Sequence, residues 1–192
     1  MSIVPHVIDG NEHLTNPVSL ALTRFRTVHL FDEVNEENII NVITQLRYLD
    51  TKSSRDIYLI INSKGGDVSS GLALIDTMND LNSDVSTIVN GTAASMGALI
   101  GSNGTKGKRY ITPNSEVMIH QPLGGVQGQA TDISLVADHI QKVKAKLAGI
   151  MAENCGKDVS VVTSDMERDF WMAAAQAKEY GLVDHIGFPD FI

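Results

Sequence analysis

The sequence predicts an α/β domain organised on a parallel sheet, and three observations predict it. Apolar runs at 27–31, 57–61 and 85–89 have the length of strands, and between them lie stretches whose apolar residues recur at helical spacing. Alternation of this kind lays successive strands parallel through right-handed crossovers. The run Ile57-Tyr58-Leu59-Ile60-Ile61 carries no charge, the pattern of a strand covered on both faces. Two consecutive strands end in turns of small residues, Gly65-Gly66 and Ala93-Ala94-Ser95, at the carboxyl ends where such sheets collect ligands.

Residues 1–20 are of mixed character, apolar over 4–8 and turn-rich over 9–17, and read as a mobile loop ordered by a neighbour. After the first strand, 36–50 is a helix with Ile39, Ile43 and Leu46 on one face and Val42 and Leu49 flanking it. Residues 62–67 form a turn, and Ser69 or Ser70 caps a helix whose stripe is Leu74, Met78 and Leu81, with Leu72 and Ile75 beside it. The strand at 85–89 leads through Asn90-Gly91-Thr92-Ala93-Ala94-Ser95-Met96-Gly97 to a helix beginning at Ala98. Residues 109–112 and 116–120 read as a short strand pair joined through Pro113-Asn114. Three glycines, Gly124, Gly125 and Gly128, make the next segment extended and flexible. The longest helix runs from 131 to about 153, its Ile133, Val136, Ile140, Val143, Leu147 and Ile150 forming a heptad seam. Such a seam fits docking onto a second copy of the chain, and equally a helix packed on its own sheet. A short helix or turn at 158–164, a helix at 173–180 closed by Gly181, and a last strand at 182–186 complete the chain.

At 192 residues, 43% hydrophobic and 20% charged, the chain suits one soluble domain with a substantial core rather than two large ones. A net charge of −8 argues against nucleic acid as a partner. The densest basic cluster, Lys106-Gly107-Lys108-Arg109, is short and reads as a solvated turn. The single cysteine, Cys155, excludes an intrachain disulfide and a CxxC metal site and fits a reducing compartment. Its context, Glu-Asn-Cys-Gly-Lys, is a helix end rather than a nucleophile site. The first ten residues hold no signal-peptide core. Residues 85–105 are uncharged, but Asn90, Gly91, Gly97 and Gly101 interrupt them, so no membrane span is expected. A cytoplasmic location follows as the expectation.

Ser95 stands at a sharp strand-to-helix junction among small neighbours, in the pattern A-x-S-x-G, close to the nucleophile elbow G-x-S-x-G. The turn lifts its hydroxyl clear of the backbone, and the helix start behind it offers free N–H groups to a developing oxyanion. Gly65-Gly66 exposes backbone N–H groups at the end of the neighbouring strand. His120 ends the apolar run Val117-Met118-Ile119, as the serine ends its own strand. The other five histidines are worse placed, and none forms a metal spacing such as HExxH. An acidic residue before Phe170-Trp171-Met172 can orient an imidazole, but spacing does not choose among Asp165, Glu167 and Asp169.

These segments together resemble the ClpP family, the proteolytic subunits of the ATP-dependent Clp protease. The resemblance is carried by Gly-Thr-Ala-Ala-Ser-Met-Gly around Ser95, by Val117-Met118-Ile119-His120-Gln121-Pro122-Leu123-Gly124-Gly125, and by Gly128-Gln129-Ala130-Thr131-Asp132-Ile133. Glu167-Arg168-Asp169 and Glu179-Tyr180-Gly181-Leu182-Val183-Asp184 extend it over nearly the whole chain. It implies a crotonase-like α/β fold of repeated ββα units in a single peptidase domain, 1–192. Within it, 1–18 would be a loop lining an axial pore, 19–120 and 154–192 a head, and 121–153 a projecting strand-helix handle. It implies Ser95 as nucleophile, His120 as general base and acid, Asp169 as the residue orienting His120, and the backbone N–H groups of Gly66 and Met96 as the oxyanion hole. Heptameric rings would stack as a tetradecamer, alone or with a second ClpP paralogue. An AAA+ ATPase such as ClpX, ClpA or ClpC would feed in unfolded polypeptide. No cofactor is implied for this chain, because ATP is used by that partner.

Two departures from the family pattern stand out. Lys64 replaces the proline of S-P-G-G, predicting a looser oxyanion turn with an added charge near the substrate. Ile60 replaces a tyrosine of the ATPase docking pocket, where Tyr110 still offers an aromatic ring, predicting altered docking. Two other readings compete: a weakly active or non-catalytic ring partner of a second ClpP subunit, and an acyl-CoA hydratase or isomerase of the crotonase fold, which uses carboxylates for proton transfer.

Overall fold

A computed structural model describes residues 7–9, 13–15 and 17–190. Strands β1 (Val7–Asp9) and β2 (His13–Thr15) pair antiparallel, where an open loop was expected. Residues 1–6, 10–12 and 16, the remainder of the expected pore loop, lie outside the described residues. Helix α1 (Pro17–Phe25), not anticipated from the sequence, leads into β3 (Thr27–Leu30).

Helix α2 (Glu36–Asp50) has the predicted bounds, with the Asn35 side chain accepting from Asn38 N–H and Glu36 and Glu37 at its positive end. Its core side, however, is Ile39, Val42, Leu46 and Leu49, while Ile43 is only half-buried. The predicted seam is therefore rotated, and the residues expected to flank it lie at its centre. Strand β4 (Ile57–Ser63) corrects a second expectation. Ile57, Leu59 and Ile61 are fully buried, but Tyr58 and Ile60 are half-buried and Asn62 is exposed, so one face only is sealed within this chain. Helix α3 (Val68–Asp80) is capped by Asp67, not by a serine: its carboxylate accepts from the Ser70 N–H and hydroxyl, both at 2.7 Å. Those bonds, the hydroxyl's first, hold the Asp67 carboxyl below its usual range.

Strand β5 (Val85–Ala94) runs five residues beyond the predicted end and delivers the chain directly to Ser95. Helix α4 (Met96–Ser102) follows, then β6 (Arg109–Ile111) and β7 (Glu116–Ile119). The last two do not pair with each other. Both lie parallel to β5, β6 beside Thr87–Val89 and β7 beside Thr92–Ala94, so the long strand has two successive neighbours. Between the two halves the register against β4 shifts, over residues 90–92, and Gly91 there has a φ of +118° that is open to glycine and costly elsewhere.

Helix α5 (Ala130–Cys155) ends at Gly156 in the left-handed conformation, as its sequence signalled. Only its last third enters this chain's core, through Leu147, Ala148, Met151 and Ala152. Ile133 and Leu135 are exposed, as is the irregular segment 123–129 before them. Helix α6 (Val159–Asp165) precedes β8 (Phe170–Ala173), a strand missed in the sequence that pairs antiparallel with β7. Helix α7 (Ala174–Tyr180) leads to β9 (His185–Ile186), shorter than predicted and parallel to β6.

The main sheet thus runs β3-β4-β5-β6-β9, with β7 and β8 continuing from the far half of β5. The α/β class is as expected. The basic cluster is not a solvated turn: Lys108 bonds Asp56 and Asp84 at 2.8 Å, and Arg109 is 5% exposed against Asp184.

Candidate active site

The three candidate side chains come from the ends of three adjacent strands, and strand register explains their meeting. Ala94 lies opposite Met118 across the parallel β5–β7 ladder, and Ser95 N–H donates to Met118 C=O at 2.9 Å. Ile119 lies opposite Phe170 across the antiparallel β7–β8 ladder, so the next pair outward is His120 and Asp169. His120 Nε2 is 2.9 Å from Ser95 Oγ, and His120 Nδ1 is 3.0 Å from Asp169 Oδ1. The carboxylate can only accept, so Nδ1 carries the proton and Nε2 presents its lone pair to the serine hydroxyl. The His120 side chain is 15% exposed, whereas that of Asp169 is 63% exposed.

Ser95 takes φ +55° and ψ −122°, a conformation unusual outside glycine. A non-glycine residue held there is strained, and the surrounding ladder overrides the cost. Ser95 has no side-chain cap role on α4, so its hydroxyl is left for His120. The neighbouring turn packs against this elbow at the closest approach backbone allows. A Cβ on Gly65 would lie 2.6 Å from Ala94 O and 2.8 Å from Ser95 Cβ, and one on Gly97 would lie 2.7 Å from Ser63 O.

Three hydrogen bonds tie that turn, in which Lys64 stands where the family pattern has proline. Val34 N–H donates to Gly65 C=O at 2.8 Å, Asp67 N–H donates to Val34 C=O at 2.6 Å, and Gly65 N–H donates to Ser63 Oγ at 3.1 Å. In this parallel bridge Val34 supplies both bonds, so the N–H of Gly66 takes no part and is turned from it. Lys64 is exposed, with its charge at the rim.

A groove of about 740 Å³ runs past these groups, lined by Phe31, Glu33, Lys64, Gly66, Ser95 and His120 among others. A narrow apolar pocket of about 20 Å³ opens beside Ser95 and His120, walled by Met96, Leu99, Leu147, Met151 and Met166. The three acidic candidates separate cleanly. Asp165 accepts from the Tyr180 hydroxyl at 2.9 Å; burial and that carboxylate together push the phenol's pKa up. Glu167 is bonded to Lys144 and Gln121, and the Lys144 bond, first of several causes, holds its carboxyl below the usual range. Asp169 alone of the three reaches His120. The sequence reading gave no role to Gln121, although it lies in the run around His120, and missed Lys144, which no motif marks, and the groove rim at Phe31 and Glu33, which lies far from Ser95 in the chain. Among the described residues no group of three or more His, Cys, Asp or Glu is placed to hold a metal ion, and no helix is long and apolar enough to cross a membrane.

Residues 10–190 match the family model described as Clp protease. The chain is similar to the ATP-dependent Clp protease proteolytic subunit of Ligilactobacillus salivarius (strain UCC118). The two are 47% identical over 189 residues, spanning 97% of this chain and 96% of that protein. With a family match over nearly all its length and a relative at that identity, the chain belongs to the Clp protease family.

Proposed function

We propose that this chain is the proteolytic subunit of an ATP-dependent Clp protease, a serine endopeptidase whose nucleophile is Ser95. One observation carries the reading: a hydroxyl, an imidazole and a carboxylate in series at 2.9 and 3.0 Å, beside a groove. Ser95 Oγ attacks the scissile carbonyl while His120 Nε2 takes its proton. The oxyanion is received by the N–H groups of Gly66, free of its bridge, and of Met96, first residue of α4 and without an intrahelical acceptor. His120 then protonates the leaving amine, and water resolves the acyl-enzyme by the reverse proton path. Asp169 keeps the proton on Nδ1 and stabilises the imidazolium that forms.

The assembly belongs to the same proposal. Heptameric rings stack through a handle of residues 121–153, whose exposed Ile133 and Leu135 and irregular 123–129 segment are unsealed within one chain. The N-terminal segment 1–18, which includes the β1–β2 pair, lines a pore that admits unfolded polypeptide delivered by an AAA+ ATPase in the cytoplasm. ATP is that partner's substrate, and this chain needs no cofactor. Ile60 and Tyr110 stand in one cross-strand row through Ile88, where a docking loop of the ATPase would rest.

A fluorophosphonate probe and a fluorogenic peptide test the reading. The expected result is stoichiometric labelling at Ser95 and peptide cleavage without ATP, both lost in His120→Gln. Cleavage that persists in Ser95→Ala overturns it. An unlabelled, assembled chain points instead to a non-catalytic ring partner, and hydration of an enoyl thioester without labelling points to a hydratase.

A further inference from the structure

We propose that Lys144, Gln121 and Glu167 form a positioning clamp that sets the Asp169 carboxylate against His120, so that α5 holds the catalytic geometry from outside the triad. The inference rests on the serine-peptidase reading above.

Asp169 needs such a device. Within a single chain its side chain is 63% exposed, and among the described residues its side chain bonds His120 and nothing else. It follows a stretch, 166–168, that belongs to no helix or strand and links α6 to β8. A single hydrogen bond from an imidazole in water does not fix a carboxylate's position, because solvent competes for every lone pair.

The clamp grips that stretch from two sides. Gln121, next in sequence to His120, donates its N–H to Met166 C=O at 2.6 Å. Its side-chain amide donates to Glu167 C=O at 3.0 Å and reaches the Glu167 carboxylate at 3.4 Å. Lys144 bonds the other carboxylate oxygen, Oε1. The Lys144 side chain is only 16% exposed, and its helix is seated in the core one turn later by Leu147, Ala148 and Met151. Its ammonium therefore reaches Glu167 from a fixed stem. The residues next to His120 and two before Asp169 are thus tied to each other and to a third, rigid element. The pair itself contributes little to stability, since the Glu167 side chain is 53% exposed. Its consequence is geometric, and misplacing a catalytic group by about 1 Å costs roughly 100-fold in rate.

The test compares Lys144→Met, Glu167→Gln and Lys144→Arg, each in the parent and in an Asp169→Asn background, with particle size checked for every variant. The expected result is a kcat lower by roughly 10–100-fold for the first two with KM unchanged, and recovery to within about threefold for Lys144→Arg. In the Asp169→Asn background the same substitutions cost nothing further, because the group they position no longer works. Losses that multiply with Asp169→Asn, or that follow a change in particle size, overturn the clamp. So do variants indistinguishable from a parent that cleaves peptide and labels at Ser95. A parent that neither cleaves nor labels overturns the peptidase reading, and the clamp with it.

Discussion

Asp184 and Asp169 each face a basic side chain, and they are built in opposite ways. Asp184 accepts from Arg109 N–H at 3.0 Å, Nε at 2.9 Å and Nη2 at 2.6 Å, and from Gly107 N–H at 2.8 Å. Its side chain is 20% exposed and that of Arg109 6%. Asp169 accepts one bond and is mostly in water. The far side of each partner completes the contrast. Arg109 directs Nη1 to the carbonyls of Ser102 and Asn154 and cannot lose a proton. The far nitrogen of His120 faces a hydroxyl. An ion-pair geometry therefore does not by itself mark chemistry. The marks are a partner that can change protonation state and a third group able to exchange a proton with it.

The contrast is broken most directly by substituting on the side proposed as catalytic. Ser95→Ala is expected to lower kcat by roughly 10⁴–10⁶-fold and Asp169→Asn by about 10⁴-fold, the scale of triad knockouts. Neither should move the melting temperature by more than a degree or two, since Asp169 is exposed and Ser95→Ala removes one hydroxyl from a strained turn. A peptide assay and a thermal melt on the same preparations check both halves. A large loss of stability in either variant would place these residues with Asp184 instead.

Asp184→Asn is expected to do the reverse. It leaves Arg109 buried without its carboxylate, a change worth about 3–5 kcal/mol of stability. The corresponding pH effect has a definite sign. Burial pushes the Asp184 carboxyl up, but the bonds from Arg109 and Gly107 outweigh it and hold the carboxyl below its usual range. A depressed folded-state value stabilises the chain above the unfolded value, near pH 3.9, and that stability is lost as pH falls through the folded one. Denaturant midpoints from pH 6 down to pH 2 should therefore fall more steeply in the parent than in Asp184→Asn. Parallel curves would show that the pair adds nothing to acid sensitivity.

The two carboxylates also differ in how far the sequence exposed them. The helix at 36–50, the strands beginning at 27, 57 and 85, and the positions of Ser95 and His120 at strand ends were legible, because each depends on local periodicity and turn chemistry. The acidic member was not legible from spacing, since Asp165, Glu167 and Asp169 lie within five residues; the family resemblance singled out Asp169, and the β7–β8 register accounts for its contact. That register was hidden because β8 is only four residues long, follows directly on a charged stretch and takes its identity from pairing with β7. Residues 90–94 were likewise read as a turn, being glycine, alanine and polar. Their extension is imposed by the parallel neighbour β7. Arg109 was misread for the same reason: a basic tetrapeptide says nothing of Asp184, which lies 75 positions on.

The smallest expected effect concerns Cys155, which ends α5 beside the Asn154 carbonyl that Arg109 holds. Burial pushes its thiol up to about 11, against opposing pulls from Arg109 and Lys157. At pH 7 the thiolate fraction is then on the order of 10⁻⁴, against a few per cent for an ordinary cysteine, so alkylation should run roughly 100-fold slower. Cys155→Ala should leave peptide cleavage unchanged, as the thiol touches neither groove nor triad. The rate of labelling by iodoacetamide then becomes a local gauge of the Arg109–Asp184 region. It should rise in Asp184→Asn, where that region opens more often, and stay at the parent value in Asp169→Asn. Equal acceleration in both variants would mean that the two carboxylates hold one common structure rather than dividing stability and chemistry between them.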